Sequence, residues 1–348
     1  MTEKKLVLVI GATGAQGLPV VVSLLAPNKD GSPSPYAVRA LTRDPTSDRA
    51  QQLKDVGVEL FKGSFDNADD VAAAYKGCYG AFVNTDTYSQ GRAKEIHSAI
   101  QLFEFAHREP AMRHFVYSSL EYAHKLGNFR PEYYTVTYDG KGVFGDFMQA
   151  QKSTSTGDGL TWSIVTTGPY MEGLSSTFLG PLPERENGAV VFALPVGDGH
   201  LPVVTLRDIA WWVRYTFDHR AETSGQNLKI ASEMLQWETL AQTFTKVTGI
   251  PSIYKRMGVE EYFETVQRGG DEPMVLADGG KGSPSVKETF AGMYRIWRDD
   301  LLTRDMEWIR KIHPDGDTLE SWLRESGYDG TIKKVTGLKY DPTQVFAK

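Results

Sequence analysis

A glycine-rich turn near the start of the chain is the feature that most restricts its fold. The apolar segment 4–10 predicts a buried strand, and the apolar stretch 18–25 after the turn predicts a helix. A strand, a glycine turn and a helix in this order place backbone N–H groups and a helix N-terminus against a pyrophosphate. Glycine permits the tight turn, the approach of phosphates and close packing of helix on strand. The sequence therefore predicts dinucleotide binding by the G-x-x-G-x-x-G turn, with contacts from Gly11, Thr13, Gly14, Ala15, Gln16 and Gly17.

Strand and helix patterns alternate through the first half of the chain. Further strands are predicted at 36–42, 58–62, 80–84, 114–118 and 161–166. Helices are predicted between them at 44–56, 67–76 and 92–107. This alternation predicts a parallel sheet covered on both faces, and right-handed crossovers impose a doubly wound order. We therefore expect an α/β fold of the Rossmann type, with residues 1–168 as its dinucleotide-binding domain.

The pattern changes after Gly168, where prolines and glycines divide the chain into short segments. A short strand at 203–204, a helix capped by Asp208 and a strand at 227–231 are followed by helices predicted at 237–248, 259–268 and 286–311. The segment from Gly269 to Pro284 is rich in glycine and acidic residues, which predicts a mobile surface loop. We expect 169–202 and 232–348 to form a smaller C-terminal α+β lobe that holds the substrate or a partner, with 203–231 returning to the first domain.

Composition excludes several classes of partner. The formal charge is −6 and no basic run exceeds two residues, so the chain lacks the electrostatic footprint of direct nucleic-acid binding. No apolar stretch approaches the roughly 18 residues that a membrane span needs. The single cysteine, Cys78, has no Cys or His at metal spacing; it predicts a core residue, no metal site and a reducing compartment. We expect a soluble, cytoplasmic protein.

The end of the second predicted strand bears on cofactor choice. Sites selective for NAD carry an acidic residue there, whereas this strand ends in Thr42 and Arg43. A guanidinium can fork onto a 2′-phosphate through strong charge-assisted hydrogen bonds. The alternative is a surface ion pair between Arg43 and Asp44, which would contribute little. The position favours NADP(H).

Two later strand ends supply further candidate contacts. Ser64 and Phe65 follow the third strand, where Ser64 would bond the adenine edge and Phe65 would stack on the ring; the alternative for Phe65 is a place in the core. Asn84 and Thr85 end the fourth strand and should flank the pyrophosphate or the nicotinamide ribose.

At this point the motifs resemble those of a known family. The glycine turn is followed in order by Thr42-Arg-Asp-Pro45, Asp139-Gly-Lys-Gly142 and Gly168-Pro-Tyr-Met-Glu172. This order is similar to the NmrA-like family of atypical short-chain dehydrogenases/reductases, which includes NADP-binding regulators and redox sensors. The resemblance implies a Rossmann domain with a smaller lobe, and NADP(H) as cofactor. It further implies that Arg43 binds the 2′-phosphate, Lys141 the nicotinamide ribose, and that Tyr170 and Met171 border the nicotinamide.

Catalysis would need a proton donor beside the nicotinamide. Short-chain dehydrogenases use a tyrosine four residues before a lysine on one helix face. Here Thr137 stands four residues before Lys141. Tyr138 is the nearest tyrosine before Lys141, but Asp139-Gly140 resembles a helix start, so helical spacing does not place its hydroxyl. We take Lys141 and Tyr138 as the candidate catalytic residues.

Two functions follow from these patterns. The first is an NADPH-dependent oxidoreductase that reduces a carbonyl, imine or activated double bond of a small organic molecule, since the cofactor carries the hard chemistry. The alternative is a non-catalytic NADP(H)-binding redox sensor that acts through a protein partner, for which a nuclear location also fits. Ser118 and Ser119, at the end of the fifth strand, would either orient a substrate or complete the strand's own hydrogen bonding.

Overall fold

A seven-stranded parallel sheet forms the centre of the molecule. The computed structural model describes residues 3–154, 159–176, 178–266 and 285–332. The strands in this part of the chain are β1 (Lys5–Ile10), β2 (Tyr36–Thr42), β3 (Glu59–Lys62), β4 (Gly80–Val83), β5 (His114–Ser119), β6 (Thr161–Thr166), β7 (Val190–Phe192), β8 (His200–Val203), β9 (Gln226–Lys229), β10 (Glu233–Gln236) and β11 (Ser252–Tyr254). The sheet order is β3-β2-β1-β4-β5-β6-β9, and every pairing is parallel. The predicted Rossmann-like α/β fold is confirmed.

Helices cover both faces of this sheet and also form part of the C-terminal core. They are α1 (Gly17–Leu25), α2 (Asp48–Asp55), α3 (Ala68–Tyr75), α4 (Thr87–Gln90), α5 (Arg92–Arg108), α6 (Ala123–Leu126), α7 (Val136–Gln149), α8 (Leu206–Asp218), α9 (Arg220–Thr223), α10 (Trp237–Thr248), α11 (Val259–Val266), α12 (Val286–Arg298), α13 (Met306–Ile312) and α14 (Leu319–Ser326). Along β1, Val7 and Val9 pack into a cluster with α1 and α8, whereas Leu8 and Ile10 pack into one with α3, α5 and α7. This alternation follows from the two-residue period of a strand.

The second half of the chain builds its own core while returning one strand to the main sheet. β8 pairs antiparallel with β10, and β7 pairs parallel with β11. A third apolar cluster joins these small sheets to α10, α12 and α14. β9 pairs with β6 at the edge of the main sheet, and α8 packs on α1. The exact division of the chain into lobes stays a prediction.

Two predicted helix starts differ from the structure. α7 begins at Val136, with Thr135 as its N-cap, rather than at Asp139. The Asp139 carboxylate instead lies inside the first turn and accepts backbone N–H groups. α8 is capped by the Thr205 hydroxyl, which accepts the backbone N–H of Asp208, so Asp208 is not the cap. The Thr205 hydroxyl thus satisfies one free N–H group at the start of α8, whereas Thr135 makes no side-chain capping bond and its own backbone N–H donates to Asp139.

The predicted helix 286–311 is two helices. α12 ends at Arg298, and Asp300 adopts a left-handed backbone with φ of 50°. The Asp305 side chain then accepts the backbone N–H of Trp308 and starts α13. Apolar periodicity runs through this break, which is why the sequence pattern did not show it. The predicted loop at 269–284 lies outside the described residues.

Two expectations about composition can be compared with the structure. Cys78 is fully buried, as predicted for a core residue, and burial raises the pKa of its thiol to about 11. None of the described helices has the length and apolar composition to cross a bilayer.

Candidate nucleotide-binding site

The glycine turn between β1 and α1 is shaped by close backbone contacts. Gly11 has a φ of +82°, a conformation that favours glycine. A Cβ on Gly17 would lie 2.0 Å from the carbonyl oxygen of Gly11, so only glycine fits there. The backbone N–H groups of Thr13, Ala15 and Gln16 have no backbone acceptor among the described residues. Unpartnered N–H groups at a helix N-terminus form a cradle for an anion, which fits a pyrophosphate.

Gln16 ties the turn to two other strand ends. Its side chain is buried, accepts the Ser118 hydroxyl through Oε1 at 2.6 Å, and donates from Nε2 to the Tyr170 hydroxyl at 2.6 Å. These bonds join the glycine turn to the carboxyl end of β5 and to the segment after β6. Burial raises the pKa of Tyr170 to about 12, so its hydroxyl stays protonated at neutral pH. Ser118 therefore has a structural partner in the turn.

Arg43 lies exposed after β2 and makes no hydrogen bond or ion pair with the described residues. The Asp44 carboxylate accepts the backbone N–H and the hydroxyl of Thr46, at 2.9 and 2.6 Å. Those bonds hold the pKa of Asp44 below its usual value. The alternative ion pair between Arg43 and Asp44 is thus not formed. The guanidinium is therefore available for the 2′-phosphate contact that the sequence predicts, and that contact stays a prediction.

Arg49, on α2, was missed by the sequence reasoning. Its Nη1 donates to the carbonyl of Thr13 at 2.9 Å and so brings a guanidinium against the turn. A basic residue in the first turn of the helix that follows Arg43 is the signal that could have identified it.

The predicted adenine contacts lie at the end of β3. The Ser64 hydroxyl bonds Asp66, and its backbone N–H donates to Asp70 at 2.9 Å. Phe65 is half-buried and packs on the cluster that contains Leu41. The packing of Phe65 fits the alternative of a place in the core, and the contacts of both residues with adenine stay predictions.

Lys141 lies against the carboxyl end of β4. Its ammonium donates to the Thr85 carbonyl at 2.7 Å, the Thr85 hydroxyl at 3.2 Å and Asn84 Oδ1 at 3.1 Å. It is also 3.3 Å from Oε1 of Glu95 and 5.6 Å from the centre of the Tyr117 ring. The structure therefore brings together Asn84, Thr85 and Lys141, three of the predicted site residues.

Glu95, on α5, was also missed by the sequence reasoning. Its side chain is fully buried and accepts the hydroxyls of Thr85 at 2.8 Å and Thr87 at 2.5 Å. A Cβ at position 140 would lie 2.5 Å from Glu95 Oε2, so Gly140 leaves room for this carboxylate. Glu95 lies in the first turn of an amphipathic helix, where a glutamate is ordinarily exposed to solvent and stabilises the helix N-terminus. Only its tertiary contacts distinguish it from such a surface glutamate.

The remaining residues of the Asp139-Gly-Lys-Gly142 motif place α7. The buried Asp139 carboxylate accepts the backbone N–H of His124 at 2.9 Å and that of Thr135 at 3.2 Å, and burial raises its pKa. A Cβ on Gly142 would lie 2.3 Å from the backbone of Tyr122. The motif thus fixes the helix that carries Lys141 against the loop after β5.

Tyr138 points away from Lys141 and into the C-terminal core. Its hydroxyl accepts the indole N–H of Trp297 at 3.3 Å, and burial raises its pKa well above the ordinary value. The structure does not join it to Lys141 by a hydrogen bond. Its role as a proton donor stays a prediction.

The segment after β6 links this site to the smaller core. Met171 is fully buried, and its backbone N–H donates to the Val204 carbonyl at 3.0 Å. The Glu172 carboxylate accepts the Leu206 backbone N–H at 3.1 Å, which attaches the segment to the start of α8. Burial, with further repulsion from Asp317 and Asp208, raises the pKa of Glu172 to about 7. Among the described residues, no group of three or more His, Cys, Asp or Glu could hold a metal ion.

Curated relatives share most of the chain. The NmrA-like family domain-containing oxidoreductase malD of Malbranchea aurantiaca is 30% identical over 276 residues, which cover 74% of this chain and 76% of that protein. The NmrA-like family domain-containing oxidoreductase lnaB of Aspergillus flavus is 25% identical over 262 residues, covering 71% and 74%.

Solved structures share the fold at lower identity. NmrA, a negative transcriptional regulator, in complex with NADP superposes with a TM-score of 0.68 at 18% identity, covering 93% of this chain and 95% of that one. The NADPH-dependent quinone oxidoreductase QOR2 of Escherichia coli, complexed with NADPH, gives 0.66 at 19% identity, covering 92% and 100%. The model of the NmrA-like family matches residues 3–282. The chain therefore belongs to the NmrA-like family, as the order of its motifs indicated.

Proposed function

We propose that this protein binds NADP(H) and is an NADPH-dependent oxidoreductase that reduces a carbonyl, imine or activated double bond of a small organic molecule. The observation that carries the proposal is the convergence of three features at the carboxyl ends of the strands. These are the N–H groups of the glycine turn and the guanidinium of Arg43, which have no partner among the described residues, and the ammonium of Lys141. Ligands of open α/β sheets bind in the crevice outside the carboxyl ends of the strands.

Each feature matches one part of the cofactor. The turn would hold the pyrophosphate, Arg43 the 2′-phosphate, and Lys141 with Asn84 the nicotinamide ribose. The bound cofactor would supply a hydride. The oxidoreductase relatives and the NADPH-bound neighbour support this choice.

The residues around Lys141 would orient the substrate side of the site. The ammonium would fix a ribose hydroxyl, and the Gln16–Tyr170 contact would form part of the wall next to it. Tyr170 accepts a hydrogen bond from Gln16, so its own proton remains available to a substrate oxygen or nitrogen.

A substrate panel tests the proposal. Carbonyl, imine and activated alkene compounds should include some that cause NADPH oxidation, and Lys141→Ala should slow that turnover by about 100-fold without comparable loss of stability. Absence of Lys141-dependent oxidation across the panel would contradict a catalytic function.

The second candidate is a non-catalytic NADP(H) sensor that acts through a protein partner. The specific observation in its favour is the position of Tyr138, whose hydroxyl is bonded to Trp297 rather than presented beside Lys141. The fold shared with the regulator NmrA is consistent with it. A sensor should distinguish NADP⁺ from NADPH in affinity and show no turnover.

A further inference from the structure

Protein atoms hold the Lys141 ammonium in place. A lysine ammonium has three N–H donors. The Thr85 carbonyl and hydroxyl and the Asn84 side chain all lie within 3.2 Å of Nζ, and only 12% of the lysine side chain is exposed. The position of the cation is therefore set before any ligand arrives.

The charge of Lys141 is balanced by one buried carboxylate. Glu95 is the only acidic residue within ion-pair distance of Lys141 among those described, and it is 0% exposed. A buried carboxylate is costly unless it is both paired and hydrogen-bonded. Glu95 meets both conditions through Lys141 and the hydroxyls of Thr85 and Thr87. Gly140 provides the space, since a side chain there would strike Oε2.

The acceptors around Nζ differ in how readily they can be exchanged. The Thr85 carbonyl belongs to the backbone directly after β4, and Glu95 is enclosed. Asn84 is half-buried and contributes a neutral side-chain oxygen at 3.1 Å. A ribose hydroxyl could replace that oxygen while the other contacts stay in place.

We propose that Glu95 is a positioning residue for the nucleotide site: it holds the Lys141 ammonium at the end of β4, from where one N–H turns from Asn84 to the nicotinamide ribose. This inference rests on the proposed function, because it requires a nucleotide at this edge. Nothing in the chain's motifs assigns Glu95 a role.

The test measures NADPH affinity by fluorescence titration between pH 7 and 9, above the range in which a 2′-phosphate titrates. E95Q should weaken binding about tenfold, which equals about 1.4 kcal/mol. The loss should grow as pH rises, because burial without a counter-charge favours the neutral amine. K141M should show a similar loss without that pH dependence. The double variant E95Q/K141M should bind no more weakly than K141M, since both changes remove one interaction.

E104Q is the matched control, because Glu104 is an exposed glutamate on the same helix. This variant should bind NADPH as the unaltered protein does. If E95Q does not fold, K141M and E95Q/K141M are compared: equal affinities support the inference and a further loss in the double variant overturns it. Unchanged affinity and pH dependence in E95Q, alongside weakened binding in K141M, would also overturn it. Unchanged affinity in K141M would instead remove the proposed ribose contact, and the inference with it.

Discussion

The glycine turn has no room for a Cβ atom at position 17. Gly17→Ala would place a Cβ 2.0 Å from the Gly11 carbonyl oxygen, so the turn would have to open. We expect a loss of about 1–3 kcal/mol in the free energy of unfolding, together with weaker NADPH binding. Gly258→Ala is the control, because its Cβ meets nothing within 4 Å. Urea unfolding and NADPH titration measure both effects; equal behaviour of the two variants would contradict the described turn.

Single substitutions distinguish Tyr138 from Tyr170 as the proton donor. Tyr138→Phe removes the acceptor of the Trp297 indole N–H and should cost about 1 kcal/mol of stability. Because its hydroxyl is bonded inside the core, we expect kcat to change by less than about threefold. Tyr170→Phe should lower kcat by about 100-fold if its available proton is transferred.

Steady-state kinetics with the best substrate of the panel give both values. A loss of about 100-fold in Tyr138→Phe, with NADPH affinity unchanged, would refute this expectation and identify Tyr138 as the donor.

At the scale of elements, the junction between the segment after β6 and α8 should respond to pH. The pKa of Glu172 is raised from 4.5 to about 7, so the folded protein favours the protonated form. Stability from this group is fully present below pH 4.5 and is lost as pH rises through 7. The free energy of unfolding should therefore decline as pH rises. We expect Glu172→Gln to reduce that decline by on the order of 1 kcal/mol.

Urea unfolding at pH 5 and at pH 7.5 measures the difference in stability for each variant. Glu184→Gln, at an exposed glutamate, should leave the decline intact. The same decline in Glu172→Gln as in the unaltered protein would show that another group is responsible.

Helices and strands could be predicted from the sequence where their own residues and the adjacent turn residues form a clear pattern. β2 and β6 have the predicted bounds, as does α10, because apolar pattern and turn residues agree there. The glycine turn, Arg43 and Lys141 were likewise visible as local motifs. Glu95 was not, since its partners lie on other elements and a lone glutamate in a helix carries no sign of burial. The break at Asp300 escaped for a related reason: a left-handed aspartate leaves the apolar period of the flanking helices unchanged.

At the scale of the whole molecule, the sheet order collects distant residues at one edge. The glycine turn follows β1, Arg43 follows β2, Asn84 and Thr85 follow β4, and Ser118 ends β5. Parallel strands point all these carboxyl ends the same way, so the topology assembles the site without any long-range sequence signal. The segment after β6 then adds Tyr170, whose hydroxyl accepts a hydrogen bond from Gln16.

NADP(H) binding through Arg43 is tested by titrating the unaltered protein and Arg43→Ala with NADPH and with NADH. We expect the unaltered protein to prefer NADPH. Arg43→Ala should lose about tenfold or more in NADPH affinity while NADH affinity stays nearly the same, because only the contact to the 2′-phosphate is removed. Failure of the unaltered protein to bind NADPH, or equal NADPH affinity in both proteins, would contradict this role of Arg43.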